Sequence, residues 1–267
     1  MSGLADLYRQ QFRTTIAVQL QYRASLVIWL IGQVLGPLVT LSVWTAVSGS
    51  GAGTAGGYGA ADFAAYYIVL MLVNHLTFTW IMFEMEYRVR HGSMSLALLR
   101  PVHPIHADIA DNVSYKLLTL PLLLAAAAVL VLGFRPAFSV PAWSAAAFLP
   151  ALFLAFLLRF LMEWTLALAA FWTTRVTAVN QIYFVVALFL SGQIAPLALL
   201  PGAVRTAGMI LPFRWTVGFP VELLLGRLSR MQALEGMAAQ LAWIGLCLLV
   251  LRVVWRAGVR AYGAVGA

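Results

Sequence analysis

The chain has 267 residues, of which 63% are hydrophobic and only 10% are charged, and its mean hydropathy is +0.90. Soluble domains carry about 25% charged residues, so this composition excludes an ordinary soluble protein and predicts an integral membrane protein. The single cysteine, Cys247, excludes a disulfide framework within the chain.

Residues 1–23 mix apolar side chains with Arg and Gln and precede the first long apolar block. This pattern predicts an amphipathic helix that lies at the membrane interface, with a mobile arm as the alternative. We expect no cleaved signal peptide, because the first apolar block begins near residue 24 and is too long for the apolar core of such a peptide.

Six apolar blocks follow, at residues 24–47, 62–83, 114–133, 143–172, 178–200 and 233–255. A helix of about 20 apolar residues crosses a bilayer core, whereas barrel strands would alternate over segments of about 10 residues. The fold class predicted is therefore an all-α membrane protein with six transmembrane helices, in one domain that covers residues 1–267.

Residues 84–113 interrupt this apolar pattern after the second block. Glu84 and Arg88, like Glu86 and Arg90, are four residues apart, and such pairs support a helix. We therefore expect the second helix to continue beyond the membrane as a solvated stalk. Gly92 should end this stalk with a positive φ.

A second short helix should then begin at Ser93, with Ser93 as its N-cap and Met94 and Leu98 on an apolar face. Arg100 and Pro101 should end it, because proline lacks a backbone donor and restricts the residue before it. A short, rigid, partly apolar helix is suited to docking in a groove of a soluble partner; a plain linker is the alternative.

Residues 191–231 contain Pro196, Pro201, Pro212 and Pro220 between apolar pieces of about ten residues. Such pieces are too short to span, and they predict re-entrant helices that dip into the outer leaflet as a structural cap or gate. Backbone at that depth must be covered by protein or line a cavity.

The basic residues are distributed unevenly between the two sides of these blocks. Cytoplasmic segments carry the excess of Lys and Arg, so both termini and the 84–116 segment should be cytoplasmic. The net charge of +8 thus reflects topology, and we expect no nucleic-acid partner. One side holds Arg9, Arg13, Arg23, Arg88, Arg90, Arg100, Lys116, Arg175, Arg252, Arg256 and Arg260, and the other holds Arg135, Arg205, Arg214, Arg227 and Arg230.

Polar side chains also occur inside the predicted spans. Arg159 and Glu163 share one helix face and form either an ion pair that stabilises packing or part of a translocation path. Asn74 and His75 belong to a polar patch in the second block, where His75 is either a hydrogen-bonded packing residue or a ligand. His103 and His106 lack the acidic or thiol neighbours of a metal site, and we expect no metal.

The chain resembles a permease subunit of the ABC-2 transporter superfamily. The resemblance rests on the six spans, the amphipathic start, the proline-broken run before the last span and the stretch GSMSLALLRPVHP. Leu98, Leu99, Arg100 and Pro101 are similar to the Leu-Leu-Arg-Pro sequence of its bacterial multidrug-type branch. The resemblance implies an exporter in the bacterial inner membrane that works by alternating access. It also implies a second permease copy or a sister permease, and two ATP-binding subunits that carry ATP and Mg. The coupling residues that it implies are Arg88, Arg90, Gly92, Ser93, Met94, Leu98, Leu99, Arg100 and Pro101.

No cofactor is expected on this chain, because its one lysine, Lys116, lacks the setting of a phosphate-binding loop. Transport would therefore depend on a separate ATPase. An ion-coupled secondary transporter is the alternative, although Glu163 is the one carboxylate well inside the predicted spans. A membrane-embedded enzyme or scaffold would need a cluster of catalytic residues that the sequence does not show.

Overall fold

The computed structural model describes residues 2–49, 57–173 and 176–262. This part of the chain is helical, as predicted, and it contains no strand. The helices are α1 (Ser2–Gln21), α2 (Arg23–Gly49), α3 (Ala60–Thr77), α4 (Ile81–Arg90), α5 (Ser93–Leu98), α6 (Ile105–Phe134), α7 (Ala142–Ala167), α8 (Thr177–Leu190), α9 (Gly202–Ile210), α10 (Phe213–Thr216), α11 (Gly218–Leu224) and α12 (Arg230–Ala261). Arg175, one of the charges used to orient the chain, lies outside the described residues.

Within the described ranges, five segments are long and apolar enough to cross a membrane. The fifth predicted span, 178–200, is represented by α8, which has 14 residues. At a rise of about 1.5 Å per residue, α8 is about 21 Å long, shorter than a bilayer core of about 30 Å. The predicted count of six full spans is therefore not confirmed. The five long segments are Val27–Ala46, Ala60–Arg90, Ile105–Phe134, Ala142–Phe171 and Arg230–Ala261.

Helix α8 ends early because the chain turns at Gly192, whose φ is +88°. A Cβ at this position would lie 2.7 Å from the hydroxyl oxygen of Tyr66, which itself donates to the Gly192 carbonyl over 2.9 Å. The Ile194 carbonyl accepts from Tyr67 Oη over 2.5 Å and from Trp44 Nε1 over 2.9 Å. Aromatic side chains of α2 and α3 thus satisfy the backbone groups that the turn frees.

The segment 191–231 continues as short helices that pack on the long ones. Gln240 of α12 is fully buried, and its Nε2 donates to the carbonyls of Ala151 and Trp215 over 3.0 and 2.9 Å. Arg214 and Glu222 form a buried ion pair at 2.6 Å. This region is a packed cap of short helices, and its depth in the membrane stays a prediction.

The largest apolar core surrounds Trp164 of α7, a residue with no exposed surface. Both α12 and α4 pack against α7. Met94 of α5 belongs to this core. The segment between α3 and α6 is therefore attached to the membrane domain by apolar packing.

The amphipathic start of the chain forms α1, which lies along the first part of α6. Tyr8 Oη and His106 Nδ1 are 3.1 Å apart, and Gln11 Nε2 donates to Asp111 Oδ1 over 2.9 Å. The structure thus shows a docked helix here. Its place at the membrane interface stays a prediction.

Replacing Gly236 with Ala should destabilise the packing of α11 against α12. The new Cβ would lie 2.1 Å from the buried ring of Phe219. We expect Gly236→Ala to lower the free energy of unfolding by about 1–3 kcal/mol.

Gly245, on the same helix with open space at its Cβ position, is the matched control. Gly245→Ala should be neutral or stabilising by up to about 1 kcal/mol. Thermal unfolding in detergent measures both, and equal effects would contradict the packing.

Candidate functional site

The helix predicted to run from the second span into a solvated stalk is broken between α3 and α4. Phe78 is extended, with φ −60° and ψ 141°, and helical structure resumes at Ile81. Ile81, Met82, Met85 and Val89 of α4 are buried. The prediction of a continuous, solvated stalk is therefore wrong, because α4 packs its apolar side against α7.

The break frees backbone groups that the low-dielectric interior must satisfy. The Phe78 amide still donates to the Asn74 carbonyl over 2.8 Å. The Phe78 carbonyl accepts from Lys116 Nζ over 2.6 Å. Lys116, which we expected to be one of the cytoplasmic charges, is instead buried in α6. Its place inside the predicted 114–133 block was the available signal for a buried role.

Arg159 and Glu163 lie beside this break and form an ion pair. Arg159 Nε donates to Glu163 Oε1 over 2.8 Å, and the side chains are 4% and 0% exposed. Arg159 Nη1 also donates to Asn74 Oδ1 over 2.8 Å and to Thr77 Oγ1 over 3.2 Å. The pair thus ties α7 to the end of α3.

The carboxylate of Glu163 has two further donors. Tyr183 Oη of α8 donates to Oε1 over 3.1 Å, and Thr79 Oγ1 in the break donates to Oε2. The sequence pattern did not single out Tyr183, since a tyrosine inside an apolar block is an ordinary core residue. One carboxylate therefore joins α7, α8 and the α3–α4 break.

A cleft of about 300 Å³ opens next to this polar cluster. Of the four residues predicted for a path, Asn74 and Arg159 line it, and Glu163 lies behind Arg159. His75 is turned to α6, where its Nε2 is 2.9 Å from Thr119 Oγ1. The residues that line the cleft are Gln33, Asn74, Phe78, Arg159, Phe184, Val185, Ala187, Leu188 and Gln193.

The predicted coupling segment follows α4. Gly92 has the expected positive φ, +72°. Gly92, and not Ser93, is the N-cap of α5, and Ser93 is the first helical residue, so the prediction for Ser93 is wrong. Its hydroxyl donates back to the Arg88 carbonyl over 3.4 Å, because the left-handed turn at Gly92 brings the two segments together.

The apolar face expected to dock on a partner points inward instead. Met94 is fully buried, and Leu98 is half-buried against the same core. Leu96 and Leu99 are 67% and 81% exposed, and Arg100 beside them is exposed. Pro101, which follows α5, is also exposed. The apolar and charged side chains that this segment offers to solvent are therefore Leu96, Leu99 and Arg100. Leu96 was not among the predicted coupling residues.

Ion pairs connect this segment to several helices. Arg88 pairs with Glu84 at 2.7 Å, as its spacing predicted, and also with Asp108 of α6 at 2.6 Å. Asp108 Oδ2 accepts from Trp164 Nε1 of α7 over 2.9 Å. A motion of α4 would therefore be transmitted to α6 and α7.

A second set of contacts holds α4 and α5 from the opposite side. Arg90 and Glu86 are 3.7 Å apart, which agrees with the predicted pair. Glu86 Oε2 accepts from the Val176 amide over 3.2 Å, just before α8. The hydroxyls of Ser95 and Tyr262 are 3.0 Å apart at the end of α12. The segment is thus joined to both α8 and α12.

His103, between α5 and α6, is an aromatic packing residue. Its ring centroid is 4.4 Å from that of Trp255 and 5.5 Å from that of Trp164. Burial and the nearby His106 lower the pKa of His103, against the smaller effect of Asp108. We expect its imidazole to be neutral at pH 7, since even the ordinary histidine pKa is about 6.5.

The Arg159–Glu163 pair predicts an uneven response to substitution. Arg159→Gln alone leaves a buried carboxylate without its cation and should cost about 3–5 kcal/mol of unfolding free energy. The double variant Arg159→Gln/Glu163→Gln removes both charges and should recover most of that loss. Arg205→Gln, at an exposed arginine, should change stability by less than about 0.5 kcal/mol. Chemical unfolding in detergent measures all three, and a double variant no more stable than Arg159→Gln alone would contradict the coupling.

A family model described as "ABC-2 family transporter protein" matches residues 17–266. A search of curated proteins finds no match. The matched range includes the broken helix, the cleft and the α4–α5 segment, and such a permease is a membrane transport component, not a catalytic ATPase. The chain belongs to the ABC-2 transporter family and is the type of multi-pass subunit that works with an ATP-binding partner.

Proposed function

We propose that this chain is the permease subunit of an ATP-driven exporter that moves an amphipathic or hydrophobic small molecule, or a lipid-like substrate, by alternating access. The observation that carries the proposal is the position of one broken helix. Its α4 half leads to the exposed tip of α5, and its α3 half ends at the cleft beside Arg159. One element thus connects a surface that a cytoplasmic partner can reach with the cleft that Arg159 borders.

The coupling surface is Leu96, Leu99 and Arg100, exposed on and just after α5. Two apolar side chains and a cation suit a groove on a soluble ATPase that has an apolar floor and an acidic rim. Gly92, Ser93 and Met94 hold the tip in place, and Arg88 and Arg90 pass its displacement to neighbouring helices.

The transmission runs back along α4. This helix has 10 residues, or about 15 Å at the usual helical rise. It ends at the break, where Thr79 binds Glu163 and the Phe78 carbonyl binds Lys116. A tilt of α4 therefore changes the groups that position Arg159 at the cleft. Residues without helical hydrogen bonds are where such a change in backbone angle is accommodated.

The complete transporter would contain two ATP-binding subunits, which hold ATP and Mg, and a second permease that is identical or a sister chain. Membrane lipids would surround the exposed apolar faces of α2 and α8. The uneven distribution of Arg supports cytoplasmic termini. The bacterial inner membrane is the location that the resemblance to multidrug-type permeases implies. The cleft lies beside α8, where it can receive an amphiphile from the membrane. Export is the direction that the resemblance to multidrug-type permeases implies.

Ion-coupled transport is the second candidate, since Glu163 is a buried carboxylate. Its oxygens already accept from Arg159, Tyr183 and Thr79. Both carboxylate oxygens are therefore already bound to donors of the protein, which leaves little capacity to bind a transported ion. Transport that stops when the proton gradient is dissipated at normal ATP levels would favour this candidate.

The exposed tip of α5 provides the test of the proposal. We expect a soluble P-loop ATPase to co-purify with the wild-type chain from mild detergent. Replacing Leu96, Leu99 and Arg100 together by Ala should remove most of this ATPase from the pull-down, because these side chains make no packing contribution to the core. Unfolding temperature should stay within a few degrees of wild type.

The matched control replaces an equally exposed apolar residue that lies away from α5. Leu132 of α6 is 79% exposed, and Leu132→Ala should leave ATPase co-purification unchanged. If no ATPase accompanies the wild-type chain, or if the triple variant retains it fully, the proposed coupling is wrong.

A further inference from the structure

The charged groups at the cleft indicate what it binds. Arg159 borders the cleft, whereas its partner Glu163 is not among the lining residues. Lys116 does not line the cleft either, and its Nζ donates to the Phe78 carbonyl over 2.6 Å and to Asn112 Oδ1 over 3.4 Å. The charged side chain that the cleft presents is therefore the cation of Arg159.

The guanidinium of Arg159 has donor capacity left at the cleft. Nε is used by Glu163 and Nη1 by Asn74 and Thr77. The Tyr183 hydroxyl also lies beside the guanidinium. Because a guanidinium has five N–H donors, these contacts leave at least one of them unused. The side chain is only 4% exposed, and the space that it borders is the cleft. A buried arginine with an unused donor favours an acceptor that carries negative charge.

The remaining walls select the same chemistry. No lining residue is a carboxylate, whereas Gln33, Asn74 and Gln193 bring amide groups. Because Asn74 Oδ1 accepts from Arg159, its amide nitrogen is left to donate. A cationic head group would meet Arg159 with no carboxylate in contact. An anionic head group would instead find a cation and amide donors.

The apolar wall of the cleft accounts for the rest of the ligand. Phe184, Val185 and Leu188 line it from α8. Val185 and Leu188 are also 55% and 40% exposed on the outer surface of that short helix. A cavity of about 300 Å³ holds a head group and the first part of a chain. The remainder of an acyl chain can lie along α8.

We propose that this cleft binds the anionic head group, a phosphate, sulfate or carboxylate, of a single- or double-chain amphiphile. Arg159 contacts the head group, and α8 holds the apolar chain. The inference rests on the proposed transport function and names its substrate class. The head group could come from an acidic membrane lipid or from a free anionic amphiphile.

The test uses the purified full-length chain, without an ATPase, in neutral maltoside micelles. Binding of radiolabelled decyl phosphate is measured by scintillation proximity. Dioctanoyl phosphatidylglycerol and decyltrimethylammonium are the competitors. We expect decyl phosphate to bind to wild type. Its affinity for Arg159→Gln/Glu163→Gln should be lower by about tenfold or more, because a charge-assisted hydrogen bond is lost. Arg205→Gln, the matched arginine control, should bind like wild type.

A third variant separates binding from a structural role. Glu163→Gln removes the carboxylate that competes for Arg159, so decyl phosphate should bind it at least as tightly as wild type. Decyl phosphate should also raise the unfolding temperature of Glu163→Gln by more degrees than it raises the unfolding temperature of wild type. A merely structural pair would instead make Glu163→Gln and the double variant lose binding alike.

Competition identifies the source of the head group. If phosphatidylglycerol displaces bound decyl phosphate, the head group comes from a membrane lipid. If this lipid does not displace it, the head group comes from a free amphiphile. Both outcomes support the anionic site. Equal affinity of wild type and the double variant overturns it, as does equal competition by decyltrimethylammonium. Loss of ATPase co-purification would count against the transport function alone, since this binding test contains no ATPase.

Discussion

The interruption between α3 and α4 at Phe78 is the constraint on which the polar interior depends. A helix broken at membrane depth leaves backbone groups that lipid cannot satisfy. Here the Phe78 carbonyl accepts from Lys116 Nζ. Beside it, the side chain of Asn74 accepts from Arg159, and the hydroxyl of Thr79 donates to Glu163. The charged side chains and the break therefore stabilise one another, and neither would be tolerated alone in an apolar bundle.

The break also lies between the exposed tip of α5 and the cleft, at the point where α4 meets α3. α4 is attached to α7 by its apolar side and to α6 by the Arg88–Asp108 ion pair. α5 is attached by Met94. A force applied at the exposed Leu96 and Leu99 is thus passed to rigid helices. At the break, the amides of Thr79 and Trp80 donate no helical hydrogen bond that would resist a change in backbone angle. The cleft lies at that point.

The short helix α8 gives the cleft its second wall. Because Gly192 turns the chain and Tyr66, Tyr67 and Trp44 hold the carbonyls of that turn, α8 stops after 14 residues. Its inner face supplies Tyr183 to the ion pair, and Phe184 and Leu188 line the cavity. An amphiphile would therefore meet a fixed polar group on one side and a lipid-exposed helix on the other.

The sequence alone determined that the chain is a helical membrane protein, because long apolar blocks have no other stable fold in lipid. It also determined the local features that depend on spacing, such as the Glu84–Arg88 pair, the shared face of Arg159 and Glu163, and the positive φ of Gly92. It did not determine that the second helix breaks, since Phe78, Thr79 and Trp80 contain no proline or glycine. Only the tertiary structure decided that break, the role of Lys116 and the inward direction of Met94, because each depends on partners from helices distant in sequence.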